Sequence, residues 1–433
     1  MENYTLGWSR RYAISSYLLS TVWIAPIFAL VFEQVTFRIA YAFQIDLGWF
    51  PGFVATGRDG TIAMTDYVIS SSIAFIVFTF SSLIVAIQVA SGQLTPRIIA
   101  TALLRDNAIR GSVAVFVYAL LLAIAVKTRV DTIPRSLVSM TGILGLFSVL
   151  VFMFLIDHAA RLLRPINIVW RIARRGRQVI DDVYPHSYPA SAALRMHEDF
   201  PPVERTILHS EGSAIIIAVN VSALVAEGKR ADVVIELIPR VGDLVSKDDL
   251  LFQLRGRGAT RVNERFLRNQ VAFGRERTIE QDSLFAFRVI VDIALKALSP
   301  AINDPTTAVI AIDQLQRLLS AVGRRDLRDE RILDSDGKLR LISHSPNWKD
   351  FVDLTFSEIR LNGAGNFQIA RRLRAMIETV SQNVPEFRIA DLRTQLELLD
   401  RTTDRLYLLK EDLTLARISD SQGLGGSSGP QSD

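Results

Sequence analysis

The chain has 433 residues, a formal net charge of +4, 49% hydrophobic and 22% charged residues, five histidines and no cysteine. The length allows two or three domains. The absence of thiols excludes a disulfide framework, a thiolate metal site and a cysteine nucleophile, and five scattered histidines leave little for an imidazole metal site.

A bilayer core about 30 Å thick needs roughly 20 apolar residues in a helix. Four stretches meet or approach that: 13–35, 67–90, 112–126 and 137–156. The first is too long for a signal-peptide core and no small-residue cleavage site follows it. The third is short, but Arg110 and Lys127 flank it and their stems can snorkel to the interface. Arginines sort the loops. Arg10 and Arg11 precede the first stretch, Arg97, Arg105 and Arg110 separate the second and third, and six follow the fourth. The 38–66 loop carries Asp46, Asp59 and Asp66, and only the short 127–135 loop argues the other way. The expectation is a multi-pass protein of a bacterial inner membrane, N- and C-termini cytoplasmic, its soluble mass inside.

No Lys, Arg, Asp or Glu falls near the centre of these stretches, which argues against a proton-coupled pump. Ser70, Ser81 and Gln88 are 11 and 7 residues apart and share one face of the second stretch. They could line a pore in a homo-oligomer, or hydrogen-bond in ordinary helix packing together with Gly142 and Gly145 of the fourth. The run that follows places Arg161, Arg164, Arg171, Arg174, Arg175 and Arg177 beside apolar Leu162, Ile166, Val169 and Ile172. Such an amphipathic basic segment attracts anionic lipid headgroups, or simply holds topology. The bilayer is then the expected anionic partner, and nucleic acid is not.

Residues 161–205 read as this basic helix and a proline-rich linker, after a 1–160 transmembrane domain. Residues 206–260 read as a small β-rich module, with strands near 214–219, 233–238 and 250–254 and a turn through Pro239, Gly242 and Asp243. Residues 261–418 read as mainly helical, with helices over 261–274 and 282–298, a hairpin at Asp336-Gly337, and two helices in 367–417 broken near Pro385. The 282–298 segment is apolar nearly all round, as a buried helix is. The 419–433 tail is polar and expected to be disordered. The fold class is therefore a four-helix α-helical membrane domain plus a mainly helical α+β cytoplasmic domain.

The stretch "ALSPAINDPTTAV", residues 297–309, joins two apolar runs. Ser299-Pro300 ends the first helix. Asp304 before Pro305 gives the second an N-cap and a proline at its first position. Arg275, Arg277, Asp282, Arg288, Asp292, Asn303 and Asp304 could converge as a polar ligand-binding pocket, or form a structural ion-pair network. Arg288 and Asp292 are one turn apart and can pair. No nucleophile–base pair, glycine-rich phosphate loop or metal-spacing motif is present, so no catalytic residue, cofactor or metal is assigned.

"GRERTIEQD" at 274–282, "VDIALKALSPAINDPTTAV" at 291–309 and the "GDLV" turn resemble a family of predicted bacterial membrane proteins catalogued as domain of unknown function 2254. The resemblance covers most of the chain, including the four stretches. In the family pattern glycine usually stands where this chain has Ala301. The resemblance implies topology and architecture and carries no activity. The resulting expectation is a membrane protein with a cytoplasmic regulatory or ligand-binding domain, working as an oligomeric channel or transport assembly. The alternatives are a membrane-anchored enzyme using Asp292, Asn303 and Asp304, and a membrane scaffold.

Overall fold

The computed structural model describes residues 7–20, 24–43, 57–93, 106–162, 164–188, 200–327 and 330–426. The chain forms two compact units. Tyr17–Ile168 make one; Val169 onward make the other, joined by the N-terminal segment up to Ser16.

The first unit is helical. Its elements are the end of α1 (Trp8–Ser20), α2 (Ile24–Phe43), α3 (Arg58–Gln93), α4 (Asn107–Thr128) and α5 (Arg135–Leu162). Among the described residues, three segments are long and apolar enough to cross a membrane: Arg58–Gln88, Asn107–Thr128 and Arg135–Arg161. The stretch that reads shortest in the sequence, 112–126, becomes the centre of the unit. α4 packs against α2, α3 and α5 and buries Val113, Phe116, Ala119, Leu122, Ala123 and Val126. It extends to residue 107 because Asp106 caps it, accepting from the backbone N–H groups of Ala108 at 3.0 Å and Ile109 at 3.2 Å. The same carboxylate lies 2.9 Å from His158 Nε2 of α5.

Two glycines bring α5 against α3. A Cβ at Gly142 would lie 2.9 Å from Met64 Sδ, and one at Gly145 would lie 2.6 Å from Val68 Cγ2. Small residues at a membrane helix interface allow this approach, which gains dispersion contacts where lipid offers no hydrophobic driving force. Phe75 of α3 stacks on Phe152 of α5 with centroids 4.2 Å apart.

The 13–35 stretch falls on α1 and α2, and residues 21–23 lie outside the described residues. Helix continues past the expected end, to Phe43, which places Glu33 in the middle of α2. Glu33 is 3% exposed and accepts a hydrogen bond from Gln34 at 2.7 Å. The sequence reading had put this carboxylate near a helix end. Arg97 and Arg105 lie outside the described residues.

The second unit combines two sheets with a helical layer. In chain order it contains α6 (Pro165–Val183, from Val169), β1 (Val203–Leu208), β2 (Ala214–Val219), α7 (Val221–Ala231), β3 (Val234–Leu237), β4 (Leu244–Val245) and β5 (Leu250–Arg255). Then come α8 (Glu264–Arg268), β6 (Val271–Gly274), α9 (Ser283–Ala297), α10 (Pro305–Val322), β7 (Glu330–Leu333), β8 (Leu339–Ser343), α11 (Trp348–Gly363), α12 (Phe367–Ser381), α13 (Ile389–Leu406) and α14 (Lys410–Ala416). The larger sheet has the order β1-β5-β3-β8-β7, with β3 and β8 parallel and the other pairs antiparallel. The smaller is antiparallel, in the order β4-β2-β6. Ile216, Ile235, Leu251, Phe252 and Leu341 close a shared core between them.

Three expectations change here. Residues 261–274 are not one helix: a 3-10 turn, α8 and β6 occupy them, because Val271–Gly274 is taken up as an edge of the β2 sheet. The boundary at 260 separates nothing, since β6 pairs with β2 and β8 with β3 across it. Residues 419–426 are ordered. Asp420 is buried and its carboxylate accepts from the N–H groups of Gln422, Gly423 and Gly425, while Arg371 donates to the Gly425 carbonyl at 3.1 Å.

The N-terminal segment also belongs to this second unit, where the sequence reading had placed it with the membrane helices. Trp8 and Tyr12 stack at 5.2 Å and pack on Ile217, Ala218 and Ala272 of β2 and β6. Tyr12 donates to Glu280, and Ser9 N–H to the Asn269 carbonyl at 3.2 Å.

The glycine seam gives a direct test. Gly145→Ala should lower the unfolding midpoint in detergent, at a cost of about 1–3 kcal/mol for the overpacked contact. Adding Val68→Ala should recover part of the loss, measured as a non-additive double-mutant cycle. Additive losses would mean that the two residues do not share a contact.

Candidate functional site

The seven polar residues singled out in the sequence lie along and beyond α9. That helix has fifteen residues, so its ends are about 22 Å apart at 1.5 Å per residue. The residues fall into three places rather than one.

The first place is the α9 N-terminus. Asp282 caps the helix, its Oδ1 accepting from the Phe285 N–H at 2.9 Å. Only 5% of the residue is exposed, and Oδ2 has no hydrogen-bond partner. The facing turn holds Gly242 at φ +95°, where a Cβ would come within 2.3 Å of Oδ2, so only glycine fits. Arg277 spends its Nε on the Gly242 carbonyl at 2.8 Å and stands 3.9 Å from the carboxylate. Burial disfavours the charged form and pushes the Asp282 pKa up to about 6, against the lowering effect of the Phe285 N–H and of Arg277. Arg275 is exposed.

The second place is mid-helix. Arg288 donates to Asp292 at 2.7 Å and to Glu358 of α11 at 3.1 Å. Its hydrogen bond to Glu358 raises the Arg288 pKa further and holds Glu358 below the usual carboxylate range. Glu358 was not visible as a partner in the sequence, because it lies 70 residues away and nothing local points to it.

The third is the corner after α9. Asp304 accepts from the Thr307 N–H at 3.0 Å and from the Thr307 hydroxyl at 2.5 Å, which uses both carboxylate oxygens in capping α10. Pro305 follows at the first position. The left-handed residue of the corner is Asn303, at φ +47°, and not Ala301. Asparagine tolerates that region better than most side chains. The Asp304 N–H donates to the Ala297 carbonyl at 2.8 Å and closes the turn.

A cavity of about 710 Å³ opens elsewhere in the same unit, between α6, α10 and α12. Arg174 and Arg177 of α6 line it together with Arg317, Arg324 and Arg325. Sequence reading had taken the first two as part of a lipid-facing stripe and had missed the other three. The signal available was a basic cluster at 317–325 on and just past an apolar helix, which looks like an ordinary C-terminal charge arrangement.

A helical membrane bundle joined to a unit with two sheets and a buried helical layer defines a membrane protein of mixed architecture. The family described as "Predicted membrane protein (DUF2254)" matches residues 15–379, and the chain belongs to it. Uncharacterised proteins of Mycobacterium bovis and of two Mycobacterium tuberculosis strains, CDC 1551 and H37Rv, are each 26% identical over 425 residues. The match covers 93% of this chain and 80% of each of theirs. No solved structure matches the chain.

Asp282 makes stability depend on pH with a defined sign. Its carboxyl titrates near 3.8 unfolded and at about 6 folded, so the folded state holds the proton more tightly. This contribution is complete below about pH 4 and is lost as pH rises through 6, roughly 3 kcal/mol in all. Asp282→Asn keeps a capping oxygen and cannot ionise. The variant should unfold at a higher temperature than wild type at pH 7 and lack this decline. An undiminished decline would assign it to other groups. At the corner, Asp304→Ala should cost about 0.5–2 kcal/mol and Asp304→Ser much less, by thermal unfolding.

Proposed function

We propose that this is a four-span protein of a bacterial inner membrane, with both termini and the large C-terminal unit in the cytoplasm. The observation that carries this is the docking of Trp8 and Tyr12 on β2 and β6. A segment packed on a soluble unit lies on the same side of the membrane as that unit. Residues 16 and 169 therefore lie on one side, and the chain between them crosses an even number of times. Three helices are long and apolar enough to cross, and in this reading α2 is the fourth span. The arginine distribution puts the shared side inside.

In this reading the C-terminal unit is a regulatory, ligand-binding domain and the membrane unit works as a homo-oligomeric channel or transport assembly. Two features support the assembly. Ser70, Ser81 and Gln88 all lie on the exposed face of α3, opposite the face that buries Thr65, Ser72 and Thr79. Polar groups on an outer face are costly against lipid and are better met by protein or water. Glu33, buried halfway along α2, is a group of the kind that marks ion or proton paths when it lies inside a membrane. It reopens the proton-coupled reading that the sequence had argued against. Arg161, Arg164, Arg171, Arg174, Arg175 and Arg177 are the proposed contacts for anionic lipid headgroups.

Reporter fusions at the N-terminus and after residue 426 should report the same side, and one at Gly57 the other. A shared signal from all three would end the four-span reading. The chain has no native cysteine, so Ser81→Cys tests the assembly cleanly. It should form an oxidative cross-link between copies, while cysteine at Ser72, buried within the protomer, should not. If the face is wet, position 81 should also react with a membrane-impermeant thiol reagent. A Ser81→Cys protein that stays monomeric under oxidation would count against a homo-oligomer joined along α3.

A further inference from the structure

The 710 Å³ cavity has a composition that neither packing nor helix capping requires. Five arginines line it: Arg174, Arg177, Arg317, Arg324 and Arg325. No aspartate or glutamate is among the lining residues, which are otherwise neutral: Gln314, Gln316, Ser320, Thr379 and Asn383 are the principal polar ones. Among the described residues, the carboxylate paired with these arginines is Asp181, and it is shared. Arg177 donates to it at 3.0 Å and Arg325 donates to it as well.

The other three guanidinium groups have no ion-pair partner among the described residues. Arg317 lies over the Trp170 ring, 4.2 Å from its centroid. Arg324 donates to the Asn383 carbonyl at 3.1 Å and to its side-chain oxygen at 2.5 Å. Arg174 is exposed. Arg174 and Arg177 are carried by α6, whose Gly176 lets that helix lie close to its neighbours: a Cβ there would meet Ala286 of α9 at 2.8 Å and Leu318 of α10 at 3.4 Å. So α6 and α10 are locked together beside a space that their arginines ring.

Five cations around one space, with a single paired carboxylate among the described residues, repel each other unless an anion joins them. The planar guanidinium fork matches the oxygens of a phosphate group, and several forks around one space suit more than one negative charge. The volume lies within the range of small-molecule sites, about 300–1,000 Å³. Trp170 and Arg317 offer a flat cationic wall for an organic part of the ligand. We propose that this cavity is a binding site for a multiply charged, phosphate-bearing anion. The site gives a ligand class to the regulatory domain proposed above and rests on that reading. Phosphate of this kind has two sources, a soluble phosphorylated compound and an anionic phospholipid headgroup. The second source is included because only twelve positions of sequence separate Arg174 from Leu162, the last residue of α5.

The test uses the full-length protein in phosphatidylcholine nanodiscs, titrated calorimetrically with inorganic pyrophosphate. A parallel arm compares the unfolding temperature in nanodiscs with and without phosphatidylglycerol. Three variants are compared with wild type: Arg174→Gln, Arg317→Gln, and Arg393→Gln. Arg393 is exposed on α13 and does not line the cavity. Arg174 makes no bond whose loss would unfold the protein, so its variant stays informative if Arg317→Gln folds poorly. Saturable pyrophosphate binding, weakened tenfold or more by Arg174→Gln and Arg317→Gln but not by Arg393→Gln, establishes the site with a soluble ligand. Stabilisation by phosphatidylglycerol alone, with the same variant pattern, establishes it with a lipid headgroup. Equal effects of all three variants would reduce the cavity to general surface charge and overturn the proposal, as would no response to either probe. Neither result touches the topology reporters or the Ser81 cross-link, so the membrane reading stands or falls separately.

Discussion

A fifteen-residue helix whose polar face is one residue wide, Arg288, Asp292 and Lys296 at four-residue spacing, must be covered on its other sides. α9 buries Phe285, Phe287, Val289, Ile290, Val291, Ile293 and Ala294, and the elements around it are placed by that requirement. α10 and α11 pack along it, and α6 reaches it at Ala286 through the missing side chain of Gly176. Burying each of these phenylalanine, valine and isoleucine side chains is worth roughly 1.5–3 kcal/mol. The few polar groups that α9 carries are then forced into defined roles. Asp282 caps one end, the Arg288–Asp292 pair reaches Glu358 at a single exit point, and the Asn303–Asp304 corner turns the chain at the other.

That arrangement separates structural polarity from available polarity. Asp304 and Arg288 are saturated by local partners, as buried polar groups usually are. Asp282 is not: one of its oxygens is buried without a partner, against a turn that only glycine can make. The arginines around the cavity are a second exception, because their charge exceeds that of the carboxylate beside them. The sequence motif drew attention to the corner at 297–309, but both oxygens of its Asp304 carboxylate are satisfied. The unpartnered Asp282 oxygen sits at the opposite end of α9.

The two units face different constraints. In the membrane unit, helices meet through small residues and aromatic stacking, and α4 is central because its neighbours cover it on several sides. In the second unit, hydrophobic burial assembles two sheets from strands far apart in sequence, with β8 pairing parallel to β3 across a hundred residues. The N-terminal segment belongs to this second assembly, although the membrane helices separate it from the rest in sequence.

Much was legible in the sequence because it is local. Apolar length marked the membrane segments, period and composition marked α9 as buried, and Asp304-Pro305 marked a helix start through one side chain and one fixed φ. Hydrophobic strands at 214–219 and 250–254 were visible for the same reason. What tertiary structure decided was pairing. Residues 271–274 became a strand because β2 offered an edge, where local pattern had favoured helix. Residues 419–426 became ordered because Arg371 and the Asp420 carboxylate gave their backbone partners. Trp8 and Tyr12 joined the second unit because β2 and β6 offered them an apolar surface, and Glu33 lies at a helix centre because α2 continues to Phe43. The cavity was invisible for a related reason: its arginines come from helices more than a hundred residues apart, and only packing α6 against α10 brings their charges around one space.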